Sequence, residues 1–384
     1  MKICMVNSFF PPWRGGAETY TYNLAKHLVS RGHEVEVYCA SPPRKPGSYD
    51  IEQIKLTCLP ITTWLYGTPI TTDLPSRLLE TQADVIHAGF PSPYNAFCTS
   101  LASWTKKTPS ILTWHNDLPP VTAMARMLVH AHNGFVLPIY IRTFRRIIST
   151  SKTYAVSSDV LTKHVEKLAI VPNGVDCKKF RPDIDSTSTR KKLNLDNQKI
   201  ILFVGALTRW HSYKGLDVLI RAIAMINQLR KDMVLVVVGE GGLKPVYQRL
   251  ASDMNLAKNV LFAGNVSDQE LPYYYAMADL LVLPSKDRSE GFGLTILEAN
   301  ACGKPVIGST VGGIPDVIRH ESNGLLIPPN SPGDLSKAIA RLVEEEGLRR
   351  EMGRNARRFA EEHDWSRVAE ETERVYREVS RDRM

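Results

Sequence analysis

Residues 289–309 read SEGFGLTILEANACGKPVIGS, and they follow the apolar run ADLLVLPS at 278–285. A short apolar run of this kind predicts a buried β-strand, and we expect a helix over about 294–302 after it. Gly291 and Gly293 would let the intervening turn approach a ligand closely. The free N–H groups and the dipole at the start of such a helix favour a phosphate. The stretch therefore predicts a strand–turn–helix unit of an α/β fold with an anion site.

Two carboxylates flank this turn. Glu290 precedes the predicted helix and Glu298 lies inside it, with seven residues between them. Carboxylates do not bind phosphate, but they accept hydrogen bonds from hydroxyl groups, such as those of a sugar and a ribose. We expect both side chains to contact ligand hydroxyls. The alternative is one helix-capping carboxylate and one solvated carboxylate.

A second candidate stretch is FVGALTRWHSYKG at 203–215, which begins as a strand and continues as a loop. Arg209 and Lys214 lie in this loop, at the carboxyl edge where open α/β sheets bind ligands. Cations are unfavourable near a helix N-terminus, so a bound anion would explain their presence. We expect the two cations to neutralise a diphosphate, although two exposed basic residues would give the same pattern.

A third candidate is the glycine pair in PPWRGGAETY at 11–20. The amides of Gly15 and Gly16 precede a predicted helix, where they could face a phosphate or a substrate hydroxyl, or form an ordinary turn. The common nucleotide fingerprints are absent from the sequence. Lys244 and Ile296 stand where G-x-G-x-x-G requires its third glycine, and no G-x-x-x-x-G-K-[ST] occurs. Neither an NAD enzyme nor a P-loop NTPase is supported.

Strand-like and helix-like patterns alternate along the chain, which predicts parallel sheets with helices on both faces. The length of 384 residues suits two domains. Each half begins with an apolar strand, a glycine-bearing turn and a helix, the plan of a doubly wound domain. We place one domain at 1–170 with 366–384 and the other at 171–365. The predicted strands are KICMVN, EVEVYCA, ADVIHAG, SILTWH, TYAVS, AIVPNG, KIILFVGAL, MVLVVVG, NVLFAG, ADLLVLPS and KPVIGS.

The composition is that of a globular chain, with 43% apolar residues and a formal net charge of +8. The positive charge suits anionic partners, but it is spread along the chain, as on an ordinary solvated surface. No concentrated basic face with aromatics predicts nucleic-acid binding. The six cysteines lack a CxxC pair, which argues against a zinc site or a disulfide framework. Neither a signal peptide nor a membrane span is predicted, so we expect a cytoplasmic protein.

Several further motifs accompany these stretches and together cover nearly the whole chain. They are GGAE at 15–18, TWHND at 113–117, VPNGVD at 171–176, the Arg209–Lys214 pair before Gly215, EGFGLTILEA at 290–299, VGGIPDVI at 311–318 and NGLLIPP at 323–329. In this combination the chain resembles the family 4 glycosyltransferases, the large retaining family with the GT-B fold. The resemblance implies two Rossmann-like domains facing across a cleft, the C-terminal one binding a nucleotide sugar and the N-terminal one an acceptor. It also implies a last helix that crosses back onto the N-terminal domain, and no metal ion or other cofactor.

The resemblance assigns roles to individual residues. Glu298 would contact the ribose hydroxyls and Glu290 the transferred sugar, while His115 would lie beside the reacting carbon. Arg209 and Lys214 would hold the diphosphate. For His87, we expect a place in the core or next to a site residue. The catalytic candidates are His115, Glu290, Arg209 and Lys214, and the donor-binding candidates are Gly15, Gly16, Arg209, Lys214, Glu290, Gly291, Phe292, Gly293, Leu294, Thr295 and Glu298.

The implied reaction moves a hexose-type sugar from a UDP- or GDP-sugar to a sugar or lipid-linked acceptor, with retained anomeric configuration. It would serve glycolipid, glycan or polysaccharide biosynthesis. Two alternatives stay open at this point. One is a nucleotide-sugar epimerase of the same architecture, which would need additional acid and base carboxylates. The other is a non-catalytic glycosyltransferase-like subunit that binds a partner.

Residues 118–158 contain no aspartate or glutamate, while arginines and lysine alternate with many apolar side chains. A segment that is apolar, basic and free of acids suits the surface of an anionic leaflet. We therefore expect this part of the N-terminal domain to contact the inner face of the cell membrane, close to a lipid-linked acceptor. The alternative is that its helices bury their apolar faces in the domain and leave the arginines solvated.

Overall fold

A computed structural model describes residues 1–13, 15–65, 67–118, 122–227 and 232–381. The chain divides into two compact units. The first comprises Met1–Asn173 with Trp365–Met384, and the second Gly174–Asp364. The domain boundaries expected from the sequence lie within three residues of this division. Within the described residues, no helix is both long enough and apolar enough to span a bilayer.

Among the described residues, the N-terminal part of the first unit contains ten strands and six helices. The strands are β1 (Lys2–Val6), β2 (Glu34–Ala40), β3 (Gly47–Ile51), β4 (Ile54–Leu59), β5 (Thr63–Leu65), β6 (Thr68–Ile70), β7 (Val85–Phe90), β8 (Ser110–Trp114), β9 (Arg146–Ser149) and β10 (Leu168–Ile170). The helices are α1 (Gly16–Ser30), α2 (Leu74–Glu80), α3 (Pro93–Lys106), α4 (Ala123–Ala131), α5 (Leu137–Ile141) and α6 (Lys152–Ser157). A π-helical turn, His132–Val136, joins α4 to α5, and short 3-10 turns span Leu161–Lys163 and Val165–Lys167.

Eight of these strands form one sheet in the order β10-β9-β8-β7-β1-β2-β4-β3, and β5 and β6 pair separately as a hairpin. All neighbours in the large sheet are parallel except β3 and β4. The chain order of the parallel strands reverses between β1 and β7, which is the switch point of a doubly wound sheet. Side chains of β1 alternate between two cores: Ile3 and Met5 lie in one, and Cys4 and Val6 in the other. Both faces of the sheet are therefore covered, as parallel sheets require.

The second unit has a single parallel sheet. Its strands are β11 (Lys199–Val204), β12 (Met233–Val238), β13 (Val260–Gly264), β14 (Leu280–Leu283), β15 (Val306–Ser309) and β16 (Gly324–Ile327). Its helices are α7 (Thr187–Lys192), α8 (Leu216–Asn227), α9 (Lys244–Asp253), α10 (Leu271–Met277), α11 (Leu294–Ala301), α12 (Ile314–Val317), α13 (Pro332–Glu344) and α14 (Glu346–Glu361), with a 3-10 turn at Arg209–Lys214. The strand order is β13-β12-β11-β14-β15-β16. This is the strand order of dinucleotide-binding folds, with its switch point between β11 and β14.

The last helix, α15 (Trp365–Arg381), belongs to the first unit. Its Trp365 and Tyr376 are buried in the same core as Ile3 and Met5. The prediction of an α/β chain with two Rossmann-like, doubly wound domains is confirmed.

One predicted strand is wrong. TYAVS lies in α6 rather than in the sheet, and the strand at this place is β9, a few residues earlier. The reason is local: the Ser151 side chain accepts a hydrogen bond from the backbone N–H of Tyr154 at 2.9 Å. A serine in this position caps a helix and starts it.

Candidate functional site

The loops at the carboxyl edge of the second unit's sheet pack backbone against backbone. Gly215 ends the Arg209–Lys214 turn with φ 75°, and a Cβ on it would lie 2.0 Å from the carbonyl oxygen of Pro284, which follows β14. Only glycine permits this close approach. The 3-10 turn is thereby fixed against the chain that leads to Glu290.

A second backbone contact fixes the Glu290 loop itself. The N–H of Gly313 donates to the carbonyl of Glu290 at 3.0 Å. A Cβ on Gly312 would lie 2.0 Å from the same oxygen. The VGGIPDVI motif therefore supports the EGFG motif, and the two glycines allow the loops to meet.

Lys214 and Glu290 form an ion pair, with 2.7 Å between Nζ and Oε2. The two side chains are only 14% and 9% exposed. Burial lowers the pKa of Lys214, but the attraction and hydrogen bond of Glu290, with Tyr213 and Glu298, together outweigh burial, so the net pKa lies above its usual value. Lys214 is therefore mostly buried and stays protonated at physiological pH. A cation in this state attracts a phosphate.

Arg209 lies at the opposite end of the same turn and is exposed. The structure pairs Lys214 with Glu290, whereas Arg209 lies at the solvent-exposed end of the turn. Thr208 directly precedes the turn, and its hydroxyl lies 2.8 Å from Nδ1 of His211, which orders the turn.

Glu298 lies in α11 and receives a hydrogen bond from the Tyr275 hydroxyl at 2.5 Å. Burial raises the pKa of Glu298 to about 7, although the bond from Tyr275 opposes this shift. Tyr275 was missed by the sequence analysis. It belongs to α10, 23 residues away, and no local pattern marks it as the partner of Glu298.

The start of α11 offers further binding groups. Its N-cap is Gly293, which has no side chain to cap the helix. The first-turn N–H groups of a helix lack intrahelical partners, so those of Leu294 and Thr295 are available to a ligand. The Thr295 hydroxyl is also buried without a hydrogen-bond partner among the described residues. These groups follow directly on Gly291 and Phe292 of the EGFG turn.

In the first unit, His115 follows the carboxyl end of β8. Its Nε2 lies 3.8 Å from the position of a Cβ on Gly89, and its ring contacts the edge of Tyr20 at 4.8 Å between centroids. The Nε2 atom is buried without a partner among the described residues. Burial lowers the pKa of His115 to about 4. The ring is therefore neutral at physiological pH and can exchange a hydrogen bond with a substrate hydroxyl.

The glycine pair lies where α1 starts, with Gly15 as its N-cap. The Glu18 carboxylate folds back over this end, since a Cβ on Gly15 would lie 2.1 Å from its Oε2. Burial raises the pKa of Glu18 to about 7. The space beside the Gly15 and Gly16 amides, expected to receive a ligand, is thus shared with a carboxylate of the chain itself.

His87 is buried in a chain of hydrogen bonds. Its Nδ1 lies 2.6 Å from the Tyr376 hydroxyl of α15, and its Nε2 lies 2.6 Å from the Thr113 hydroxyl. Tyr20 contacts the same Thr113 hydroxyl at 3.2 Å. Burial, with a smaller effect of His115, lowers the pKa of His87 to about 3. His87 links the last helix to the strands that carry His115.

Within the described ranges, no group of three His, Cys, Asp or Glu side chains is arranged so that it could hold a metal ion. The second unit instead presents a cation, two carboxylates and an open helix N-terminus. Together these groups can bind phosphate and hydroxyl groups on one ligand. The fold and the site define a class, the doubly wound α/β proteins with a candidate anion site at the switch point of a parallel sheet.

Comparison with known families agrees with this class. Residues 185–359 match the model described as "Glycosyl transferases group 1", and residues 14–179 match "Glycosyltransferase Family 4". A relative named D-rhamnosyltransferase WbpZ, from Pseudomonas aeruginosa, is 30% identical over 350 residues, which cover 89% of this chain and 86% of the relative. The chain belongs to the group 1, family 4 glycosyltransferases, and it is a glycosyltransferase. This membership supports the predicted transferase over the epimerase and the non-catalytic subunit.

Two further similarities concern activity and fold. The GDP-mannose-dependent alpha-(1-6)-phosphatidylinositol monomannoside mannosyltransferase of Mycobacterium tuberculosis is 27% identical over 362 residues, 89% of either chain. The structure of sucrose-phosphate synthase from Thermosynechococcus elongatus matches with a TM-score of 0.79 at 24% identity, covering 98% of both chains. The latter similarity supports the two-domain GT-B fold alone.

Proposed function

We propose that this enzyme transfers a hexose from a UDP- or GDP-sugar to a hydroxyl group of a sugar or lipid-linked acceptor, with retention of configuration and without a metal ion. The product would be a glycolipid, a glycan or a polysaccharide. The observation that carries the proposal is the buried Lys214–Glu290 pair beside the open N-terminus of α11. The names of the relatives, which specify GDP-mannose and D-rhamnose transfer, support a hexose-type donor.

In this proposal the donor is bound by the second unit. The diphosphate would bind Lys214 in place of Glu290, and the exposed Arg209 would provide a second cation. Glu290 is then free to accept hydrogen bonds from the transferred sugar, and Glu298 accepts them from the ribose. The amides from Gly291 to Thr295 complete the anion site.

The chemistry breaks the bond between the anomeric carbon and a phosphate oxygen and forms a bond to the acceptor oxygen on the same face. The acceptor's proton passes to the departing diphosphate, so no protein nucleophile is required. Negative charge grows on the diphosphate, and fixed cations and amides stabilise it most when the bond is breaking. Neutral His115, in the first unit, would exchange a hydrogen bond with a substrate hydroxyl.

The test begins with binding. UDP, GDP and ADP, and their sugars, are compared for their effect on the unfolding temperature. A nucleotide at a hundredfold excess over its Kd should stabilise the protein by about 2.7 kcal/mol. Turnover with the stabilising donor should then give a product with the anomeric configuration of the donor. The one-bond coupling between the anomeric carbon and its proton measures this configuration. Absence of stabilisation by every nucleotide would refute the proposed donor site, and an inverted product would refute retention.

We also propose that the enzyme is cytoplasmic and binds peripherally to an anionic membrane through the segment at 118–158. Residues 119–121 of this segment lie outside the described residues. In the remainder, several large apolar side chains point to solvent. They are Met124, Met127, Leu128, Phe135, Val136 and Ile139. The exposed Arg126, Arg142 and Arg145 accompany them, and a segment with apolar side chains, cations and no acids of its own fits an anionic leaflet.

The same surface extends beyond the predicted segment. Phe97, Leu101 and Trp104 are exposed on one face of α3 at spacings of four and three. The Phe97 ring contacts the Tyr140 ring of α5 edge-on, at 6.5 Å. Other residues of the segment, such as Leu137 and Phe144, are buried. One face of the segment therefore packs in the unit while the other is free to contact lipid.

A further inference from the structure

An aromatic cluster lies on the loop between β1 and α1, and its exposed members have no function so far. The rings of Phe9 and Trp13 stack with centroids 4.1 Å apart and planes at 13°. The Trp64 ring of the β5–β6 hairpin lies 6.0 Å from Phe9, tilted by 32°. Phe9 is buried, whereas Trp13 is 40% and Trp64 52% exposed. Two indoles thus present surface to solvent around one buried ring.

Hydrogen bonds attach the segments that carry the cluster to the rest of the unit. The Ala40 N–H of β2 donates to the Ser8 carbonyl at 3.0 Å, and the Trp13 N–H donates to the Phe10 carbonyl at 3.1 Å. The hairpin is anchored through the Thr71 carbonyl, which accepts a hydrogen bond from Tyr94 of α3 at 2.7 Å. Since Phe9 covers one face of the Trp13 indole, the exposed area of Trp13 lies on its other face and edges. Preorganised rings lower the entropic cost of binding.

The loop that carries Phe9 and Trp13 begins beside the candidate catalytic region of the same unit. It begins at Asn7, whose Oδ1 lies 3.5 Å from the Cβ position on Gly89, while Nε2 of His115 lies 3.8 Å from that position. Arg44 adds a guanidinium at the loop, because its Nε donates to the Pro11 carbonyl at 3.3 Å. A ligand lying on the indoles would therefore meet hydrogen-bond donors and extend along the loop that starts beside His115.

We infer that Trp13 and Trp64 form an acceptor subsite that binds a pyranose ring by stacking, with Arg44 beside it as a hydrogen-bond donor. Pyranoses have faces of C–H groups that pack on flat aromatic surfaces, and hydroxyl edges that suit a guanidinium. An alkyl chain or a second copy of this protein would need a broad apolar surface and would gain little from stacked rings next to a cation. The inference rests on the proposed function, since it specifies the acceptor of that reaction.

The test uses saturation-transfer NMR on the full chain with the methyl α-pyranosides of mannose, glucose, galactose and rhamnose. At least one should receive saturation at its ring protons. Trp64→Ala and Trp13→Ala should each lower that affinity about fivefold. Tyr273→Ala is the matched control, because this aromatic residue of α10 is 41% exposed and lies in the second unit, outside the cluster; it should leave the affinity unchanged.

Other results would overturn the inference. They are no saturation on any of the four glycosides, an equal loss with Tyr273→Ala, or saturation of only the alkyl protons of octyl glucoside below its micelle concentration. Self-association that disappears with Trp64→Ala, measured by sedimentation velocity, would assign the cluster to a second copy instead. Nucleotide stabilisation is measured in parallel. If nucleotides bind but no sugar does, the acceptor subsite fails alone, and if no nucleotide binds, the proposed function itself fails.

Discussion

Glu298 is the residue whose protonation a bound donor should change. Burial raises its pKa to about 7 in the free protein, so at neutral pH a sizeable fraction is protonated. Ribose hydroxyls donate to the ionised form and would lower this pKa, so donor affinity should rise with pH through about 7 and level off above it. Calorimetric titration with UDP-glucose and GDP-mannose between about pH 6 and about pH 8 checks this, because their diphosphates do not titrate there.

Glu298→Gln is the control for this prediction. It keeps the shape but removes the titrating group, so its affinity should be independent of pH in the same range. It should also be weaker than the wild type above neutral pH by roughly 1.5–3 kcal/mol, the value of a hydrogen bond to a charged group. A wild-type affinity that stays flat with pH would contradict the assignment of Glu298 to the ribose.

Lys214 should affect turnover more than donor binding. Its charge meets a diphosphate whose negative charge grows as the bond breaks, so Lys214→Ala should lower kcat on the order of a hundredfold and raise the donor KM less. Steady-state kinetics with EDTA present measures both constants. Activity of the wild type should survive EDTA, and a strict requirement for Mg²⁺ or Mn²⁺ would count against this role.

The Lys214 variant needs two controls, because removing the cation leaves Glu290 buried and unpaired, which destabilises a fold. Lys258→Ala removes an exposed lysine of the same unit and should leave kcat unchanged. Unfolding temperatures of both variants, measured under assay conditions, show that the assayed Lys214→Ala protein is folded.

At the level of helices and strands, much of the second unit could be predicted from the sequence. Three of its strands, β12, β14 and β15, are continuous buried runs, and the local sequence alone predicts each of them. TYAVS was misassigned because one capping serine outweighs an apolar pattern of five residues. In the site, Lys214 and Glu290 were each recognised from local motifs, but their ion pair joins residues 76 positions apart. No sequence pattern reports such a contact, and the Tyr275–Glu298 bond was missed for the same reason.

The attachment of α15 illustrates a second long-range contact with a measurable consequence. His87 bonds to Tyr376 as a neutral ring with a pKa of about 3, whereas an unfolded histidine has a pKa near 6.5. The unfolded state therefore binds the proton first, and stability should fall as the pH drops from about 6.5 toward about 3. At about pH 5 the loss from His87 is about 2 kcal/mol relative to neutral pH.

Urea unfolding, followed at neutral pH and at about pH 5, tests this contribution. Glu18 and Glu298 have raised pKa values and act in the opposite direction, so the comparison is made between variants. His87→Gln should lose less stability on acidification than the wild type. His130→Gln, at an exposed position of α4, should behave like the wild type. An identical pH slope in all three proteins would show that His87 does not titrate on unfolding.

For the molecule as a whole, the question is whether its positive charge and exposed apolar side chains hold it at a membrane. The formal charge of +8 is spread over the chain, but residues 118–158 combine exposed arginines with exposed apolar side chains and no acids. Arg146 is a poor choice for the test because it pairs with Glu378 and is half-buried. Arg126, Arg142 and Arg145 are exposed and suit it better.

We expect the wild type to sediment with vesicles that contain phosphatidylglycerol, and to be released as salt rises. Each cation near such a surface contributes about 1 kcal/mol, so replacing Arg126, Arg142 and Arg145 by serine should weaken binding on the order of a hundredfold. The matched control replaces Arg221, Arg249 and Arg354, three exposed arginines of the second unit, by serine. It changes the net charge equally, so a specific surface predicts little loss, whereas equal losses would mean that only total charge matters.

Phe135→Ser should weaken binding at all salt concentrations, because its contribution is burial of apolar area rather than attraction between charges. If the wild type fails to bind even at low ionic strength, the membrane proposal is wrong and the acceptor must reach the enzyme from solution.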